Sequence, residues 1–312
     1  MKTTQTTKTK YTLIYDKGCG GSIYKIYDKN QKPYVLKIPK KTKKGLNFHN
    51  NEVYTLRKLE HPNIIKLIKC NNNCLVTEFA NGGDLFHWIH PIYGINLNSE
   101  NVRAIIKPII NALIYTNTMD ISHRDIKLEN IVIHDGIPKL IDWGFACKNN
   151  ILSKVGLGTD IYMSIQILQK KIYHADKNDI WSLGVVIFLL RVQTLPYNES
   201  TIDKIDDYLQ AIIDFNWDMF WKSHVNYNQE CKILNDHDFR DLIQNMLNPD
   251  ENKRFNLQQV LNHNWFKQKS STQQEIQQLQ KKVITRKNYI EKIQSIIRGY
   301  LVRKKRLRVF SK

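Results

Sequence analysis

Asp125, Lys127, Asn130 and Asp142 follow one another in a short stretch of the chain. Their side chains span a useful set of chemistries. A carboxylate can take a proton from a hydroxyl. A lysine ammonium can hold phosphate oxygens as a point charge. A second carboxylate and an amide offer hard oxygen ligands to Mg²⁺. Together these groups suit phosphoryl transfer, which needs an aligned hydroxyl and cations to neutralise spreading charge. Any one of them alone is most often an ordinary surface residue. The ordered set demands a different account: His123-Arg124-Asp125-Ile126-Lys127-Leu128-Glu129-Asn130, then Asp142-Trp143-Gly144.

The first eight residues resemble the catalytic loop of eukaryotic-type serine/threonine protein kinases, H-R-D-x-K-x-x-N. Asp142-Trp143-Gly144 resembles the D-F-G of the same family, with Trp for Phe. The resemblance implies ATP and Mg²⁺ as cofactors. It implies that Asp125 accepts the substrate proton and Lys127 holds the γ-phosphate. Asn130 and Asp142 would be the metal ligands. Val35-Leu36-Lys37 is similar to the family's V-A-I-K strand, so Lys37 would meet the α/β-phosphates and pair with Glu52. Leu75-Val76-Thr77-Glu78-Phe79-Ala80 reads as a strand entering the hinge. Thr77, Glu78 and Ala80 would border adenine, and Asp84 sits where the family contacts ribose. Lys127 two residues after Asp125 resembles the serine/threonine pattern rather than the tyrosine one. Asp84 and Glu129 suggest protein substrates with a basic context, or are simply surface acids.

The glycine-rich loop matches least well. One register places Gly18 and Gly21 as the second and third glycines, Gly20 at the tip, and Ile23 as the following apolar residue; Asp16 then replaces the first glycine. A second register pairs Gly18 with Gly20 and leaves Ile23 where glycine belongs. The first suits the spacing from Ile23 to Lys37 better. A further departure is Ser164-Ile165-Gln166 where the family has A-P-E. Gln166 can hydrogen-bond the buried arginine matched by Arg254 but cannot neutralise it.

The C-terminal end carries a second signal. Ile293, Gln294, Arg298, Gly299 and Arg303 fit I-Q-x-x-x-R-G-x-x-x-R, which resembles the IQ motif that binds calmodulin or calmodulin-like light chains. Ile276, Leu279, Val283, Ile290, Ile293, Ile297 and Leu301 recur at helical spacing on one face. Thr272 and Glu275 make a capping box at its start. Basic helices with an apolar stripe are one mode of calmodulin recognition. Docking on the chain's own kinase domain is another use of the same face.

Charge divides the chain in the same way. The 312 residues carry a net charge of +18. Residues 1–50 hold 12 basic and 2 acidic residues, and residues 267–312 hold 14 and 2. The body between is slightly acidic. The basic ends would attract acidic partners: calmodulin first, with nucleic acid or an anionic membrane as weaker candidates. The apolar run from Leu183 to Leu190 is too short to span a bilayer and reads as a buried helix. Scattered cysteines point to a reducing cytoplasm, or the nucleus if Arg303-Lys304-Lys305-Arg306 acts as an address.

The expected fold is α+β and bilobal: a small antiparallel sheet with one helix, a larger helical lobe, and a basic amphipathic C-terminal helix. The expected divisions are a disordered basic segment at 1–10, a kinase domain at 11–266, a linker at 267–274, and the helix at 275–312 with the IQ motif at 293–303. The expected function is a serine/threonine kinase responsive to calmodulin. A pseudokinase scaffold that recruits calmodulin, and a basic nucleic-acid-binding protein on a kinase fold, are the alternatives.

Overall fold

A computed structural model describes residues 11–16, 21–149, 152–153, 160–198, 205–225 and 235–309. The expected N-terminal segment at 1–10, and Gly18 and Gly20, lie outside these. Five antiparallel strands form the smaller lobe: β1 (Tyr11–Tyr15), β2 (Gly21–Tyr27), β3 (Pro33–Pro39), β4 (Leu67–Asn71) and β5 (Cys74–Glu78), in the order β1-β2-β3-β5-β4. The turn from β4 to β5 closes because Asn71 Oδ1 accepts from the amides of Asn73 and Cys74, an Asx turn.

Helix α1 (Lys43–Leu56) crosses between β3 and β4. Thr42 caps it, its side chain accepting from the Gly45 amide. The face carrying His49, Glu52 and Leu56 is buried. Those positions are three and four apart, so they line up on one side of the helix. This places Glu52 against the sheet.

The chain then passes into the larger lobe through short α2 (Leu85–Trp88) and long α3 (Ser99–Thr118). A capping box between Asn98 and Asn101 starts α3. The hairpin of β6 (Ile131–His134) and β7 (Ile137–Leu140) follows, then the pair β8 (Leu152–Ser153) and β9 (Tyr173–His174) with α4 (Ile165–Leu168) between them. Helix α5 (Ala175–Val192) is buried on almost every side, Val185 to Phe188 completely so. A helix that is apolar all round belongs at the centre of a core. Helices α6 (Asp207–Ile213), α7 (Trp217–Val225), α8 (His237–Met246), α9 (Leu257–Asn262) and α10 (Asn264–Lys267) complete the lobe around it.

Arg254 is buried with its guanidinium 5.0 Å from the Trp181 ring centroid. It donates to the carbonyls of Asn248 and Lys177 and to Gln166 Oε1 at 2.9 Å. Burial lowers its basicity to about 10. Gln166 also donates its amide to the Pro249 carbonyl. The amide thus serves a donor and an acceptor at once, which a carboxylate could not do.

The last element, α11 (Gln273–Val309), starts two residues before the expected boundary. Thr272 and Glu275 form its capping box. The expected linker is tied down: Arg103 Nε donates to the Lys269 carbonyl, and the Ser271 amide donates to the Glu100 carbonyl. The first half of α11 then packs on the larger lobe. Ile276 and Val283 are almost fully buried, and Leu279 packs against the same core. The hairpin tip has adapted to it. Gly136 sits at φ +78°, and a Cβ there would lie 2.7 Å from the Gln273 carbonyl oxygen. Both the backbone angle and the close approach demand glycine.

If this half of α11 is part of the folded domain, Ile276→Ala should cost about 2–5 kcal/mol, as other buried large-to-small changes do. Exposed Tyr289→Ala should change stability by less than about 0.5 kcal/mol. Denaturant unfolding of the full chain checks both. Equal stability of Ile276→Ala and the unchanged protein would mean that the helix is only tethered.

Candidate active site

Three elements converge on Lys37. Strand β3 carries it, with Ile23 opposite on β2 and Leu75 opposite on β5. Directly opposed residues share a sheet face, so Ile23 and Leu75 flank Lys37 on the same side. Helix α1 brings Glu52 into an ion pair with the Lys37 ammonium. The segment after β7 brings Asp142 Oδ1 to 3.7 Å from the same nitrogen. Burial alone would lower the basicity of Lys37. The carboxylates of Asp142 and Glu52 outweigh it and raise the ammonium above its ordinary range. Asp142 is correspondingly held below the usual carboxylate range by Lys37.

Asp142 adopts φ +63° and ψ +71°, a left-handed conformation that costs a non-glycine residue about 1–2 kcal/mol. Its neighbours hold it there. Asn51 on α1 donates its amide to the carbonyls of Gly144 and Ala146, at 2.9 and 2.8 Å. Phe48 on α1 meets Phe145 edge to face at 4.6 Å. Trp143 is fully buried and packs on His123, with ring centroids 4.5 Å apart. The Asp142 side chain itself stays nearly half-exposed to the cleft.

The second group forms within the loop that leads into β6. Lys127 Nζ lies 2.8 Å from Asp125 Oδ2. Asn130 Nδ2 donates to both the carbonyl and the carboxylate of Asp125, each at 2.8 Å. That leaves the Asn130 amide oxygen as the atom it can offer a cation. The loop is anchored from below. The amides of His123 and Arg124 donate to the two carboxylate oxygens of Asp179 on α5, at 2.7 and 2.8 Å. His123 also reaches the Ile141 carbonyl through Nε2, and burial lowers its basicity. Asn130 immediately precedes β6, and Asp142 follows β7 by two residues. One short hairpin therefore fixes the distance between the two candidate metal ligands. Oxygen atoms from a carboxylate and an amide fit Mg²⁺, which takes its remaining ligands from water and phosphate.

Thr77 is buried on β5, opposite Val35. Glu78 does not turn its side chain to the cleft: it binds Lys139 Nζ and the Lys66 amide, both at 2.9 Å. Only the backbone of Glu78 and Ala80 remains for a planar ligand. Asp84 caps α2, accepting from the His87 amide, and both its oxygens lie 2.7 Å from His87 Nδ1. Gly21 opens β2 at φ +140°, where a Cβ would collide with the Ile38 carbonyl. Asp16 accepts from the Ser22 hydroxyl at 2.6 Å. Ile293 is half-buried and Gln294 exposed on α11, while Arg298, Gly299 and Arg303 are described as helical backbone only.

Sequence reasoning missed Asn51, His87 and the Asp179 acceptor role. Asn51 precedes Glu52 and His87 follows Asp84 by three, so short-range spacing held a signal for both. Asp179 is 55 residues and more from the amides it binds, and no local pattern reveals that.

A family model for the protein kinase domain matches residues 16–266. Calcium-dependent protein kinase 5 of Plasmodium falciparum is 33% identical over 263 residues, covering 80% of this chain and 44% of that protein. Serine/threonine-protein kinase SRK2A of Physcomitrium patens is 28% identical, covering 82% of this chain and 74% of that one. This chain spans less than half the length of the Plasmodium relatives. Among solved structures, one of the Rad53 kinase domain and SCD2 superposes with a TM-score of 0.65 at 23% identity, covering 87% of this chain and 97% of that one.

The electrostatics of Lys37 can be read directly. Glu52→Gln and Asp142→Asn each remove an anion, so the ammonium should lose its proton more readily. Labelling of Lys37 by an amine-reactive ester at pH 8 should then rise, since a lower pKa leaves more of the amine unprotonated. Mass spectrometry of the labelled peptide checks this. Unchanged labelling in both variants would contradict the proposed charge balance.

Proposed function

This chain belongs to the protein kinase family, and we propose that it transfers the γ-phosphate of ATP to serine and threonine hydroxyls of proteins. The observation that carries the reading is the meeting of two charge groups across one cleft. Lys37, Glu52 and Asp142 form one; Asp125, Lys127 and Asn130 form the other. A scaffold without catalysis has no need to keep all six.

Asp125 accepts the proton of the attacking hydroxyl, and its contact with Asn130 aims the carboxylate. Lys127 steadies the γ-phosphate, and Lys37 the phosphates behind it. Asp142 and Asn130 would hold Mg²⁺, which would neutralise charge on the phosphate oxygens. Thr77 and the backbone of Glu78 and Ala80 border adenine. Asp84 meets ribose or a basic substrate side chain, and His87 Nδ1 lies 2.7 Å from both of its carboxylate oxygens. Gly21 and Ile23 would border the phosphates, while Gly18 and Gly20 of the same glycine-rich stretch lie outside the described residues. The position of Ile23 opposite Lys37 supports this.

The distal half of α11 is the proposed seat of calmodulin or a calmodulin-like light chain. The match to the IQ pattern at Ile293, Gln294, Arg298, Gly299 and Arg303 supports this, as does the continuity of the helix to Val309. The name of the Plasmodium falciparum relative, calcium-dependent protein kinase 5, points to calcium as a regulator of that protein. Charge also favours an acidic partner here.

Asp125→Asn and Asp142→Asn should each nearly abolish transfer to a serine or threonine peptide. Lys37→Met should cost at least about 10²-fold, the usual loss for one preorganised electrostatic contact. Full turnover in Asp142→Asn would remove the metal assignment. For the distal helix, Ile293→Glu should weaken calmodulin capture by the full chain and leave ATP affinity unchanged. Equal capture by both proteins, with and without calcium, would refute the IQ reading.

A further inference from the structure

Gln280 lies on α11, far from the cleft in sequence, yet it joins two segments that border it. Its side chain is 4% exposed. Oε1 accepts from the Gly136 amide at 2.9 Å. Nε2 donates to Asn81 Oδ1, also at 2.9 Å. Both ends of the amide are therefore used, and each partner leads to the site.

Gly136 is the tip of the β6–β7 hairpin, whose open end carries Asn130 and Asp142. Asn81 begins the turn that ends in Asp84. The same turn is stitched to the hairpin by Asn81 Nδ2 donating to Asp135 Oδ1 at 2.7 Å, by the Gly82 amide donating to the Ile133 carbonyl, and by the Ile133 amide donating to the Gly83 carbonyl. Trp88 Nε1 closes it by donating to the Gly82 carbonyl. Gln280 is the point where the C-terminal helix enters this junction. Gln273 Nε2 donates to the Asp135 carbonyl, and Arg286 Nη1 to the Gly94 carbonyl, so the helix is held on either side of it.

We propose that Gln280 is a positioning residue for nucleotide binding: docked through it, the first half of α11 braces the Asn81–Asp84 turn against the β6–β7 hairpin. The inference rests on the ATP site proposed above. It gives this half of the helix a supporting role rather than a blocking one. A partner on the distal half can then act on the kinase domain only through a helix that stays seated.

Gln280→Met keeps the length and bulk of the side chain and removes both hydrogen bonds. In the full chain, affinity for the Mg²⁺ complex of the non-hydrolysable analogue AMP-PNP, measured by calorimetry, should fall about five- to tenfold, the size of effect expected for lost hydrogen bonds of ordinary strength. The peptide KM should stay within about twofold. Asn81→Ala removes the bond to Gln280 together with those to Asp135, so it should lose at least as much, and the double variant should lose less than the product of the two single losses, because the two residues share one contact. Multiplying losses in the double variant would overturn the proposal. So would unchanged nucleotide affinity with a lowered melting temperature, which is what a purely structural role gives. Tighter nucleotide binding in Gln280→Met would also overturn it, since a blocking helix would behave that way. Because the readout is affinity and not turnover, a wild-type protein that binds nucleotide without transferring phosphate would bear on the kinase reading alone.

Discussion

The rest of the structure is arranged around one partly buried ammonium. Lys37 comes from the sheet, Glu52 from the helix that crosses it, and Asp142 from the far side of the cleft. A buried lysine without partners would shed its proton, because burial penalises the charged form. Two carboxylates reverse that preference. The sheet, the helix and the larger lobe must therefore keep their relative positions for the charge to be stable. Asn51 and Phe48 make the same demand from neighbouring turns of α1, holding the strained backbone around Asp142. Helix position, metal-ligand geometry and lysine charge are consequences of one set of contacts.

The larger lobe supplies a rigid counterpart. Asp179 spends both carboxylate oxygens on the amides of His123 and Arg124, which fixes the loop before Asp125 reaches the cleft. Arg254 is held by carbonyls, an amide and an indole face rather than by an acid. Hydrogen bonds to a charged group contribute about 1.5–3 kcal/mol, so several of them can hold a guanidinium in place without a carboxylate contact. The C-terminal helix extends the lobe: Ile276 and Val283 fill its surface, and Gly136 has given up a side chain to let the helix approach.

Much of the site was legible in the sequence because its residues act at short range. Asp125, Lys127 and Asn130 occupy one loop, and Asp142 is separated from them by one hairpin. Lys37 and Glu52 were paired through the resemblance of their motifs to the family's, and the fold brings them into contact. Contacts between distant segments were not legible. Gln280 and Asn81 are 199 residues apart, and nothing in either neighbourhood marks the other. The apolar stripe on α11 was read as one continuous face. In the fold its first half is buried against the larger lobe, whereas Ile290 and Ile293 are only half-covered. Periodicity gives the direction of a face but not how far along it the domain surface extends. The capture of Asp84 by His87 shows a similar limit: spacing placed the acid, but the cap geometry decided what its oxygens touch.

The central claim is that Glu52 serves catalysis only by holding Lys37. A double-mutant cycle on kcat/KM tests it directly, using Lys37→Met, Glu52→Gln and the two combined, with the full chain, Mg²⁺, ATP and a serine peptide. Coupled residues lose less together than their separate losses predict. The account predicts that Glu52→Gln lowers kcat/KM on its own and has almost no further effect once Lys37 is methionine. Losses that multiply in the double variant would contradict it, because Glu52 would then act by a route that does not pass through Lys37.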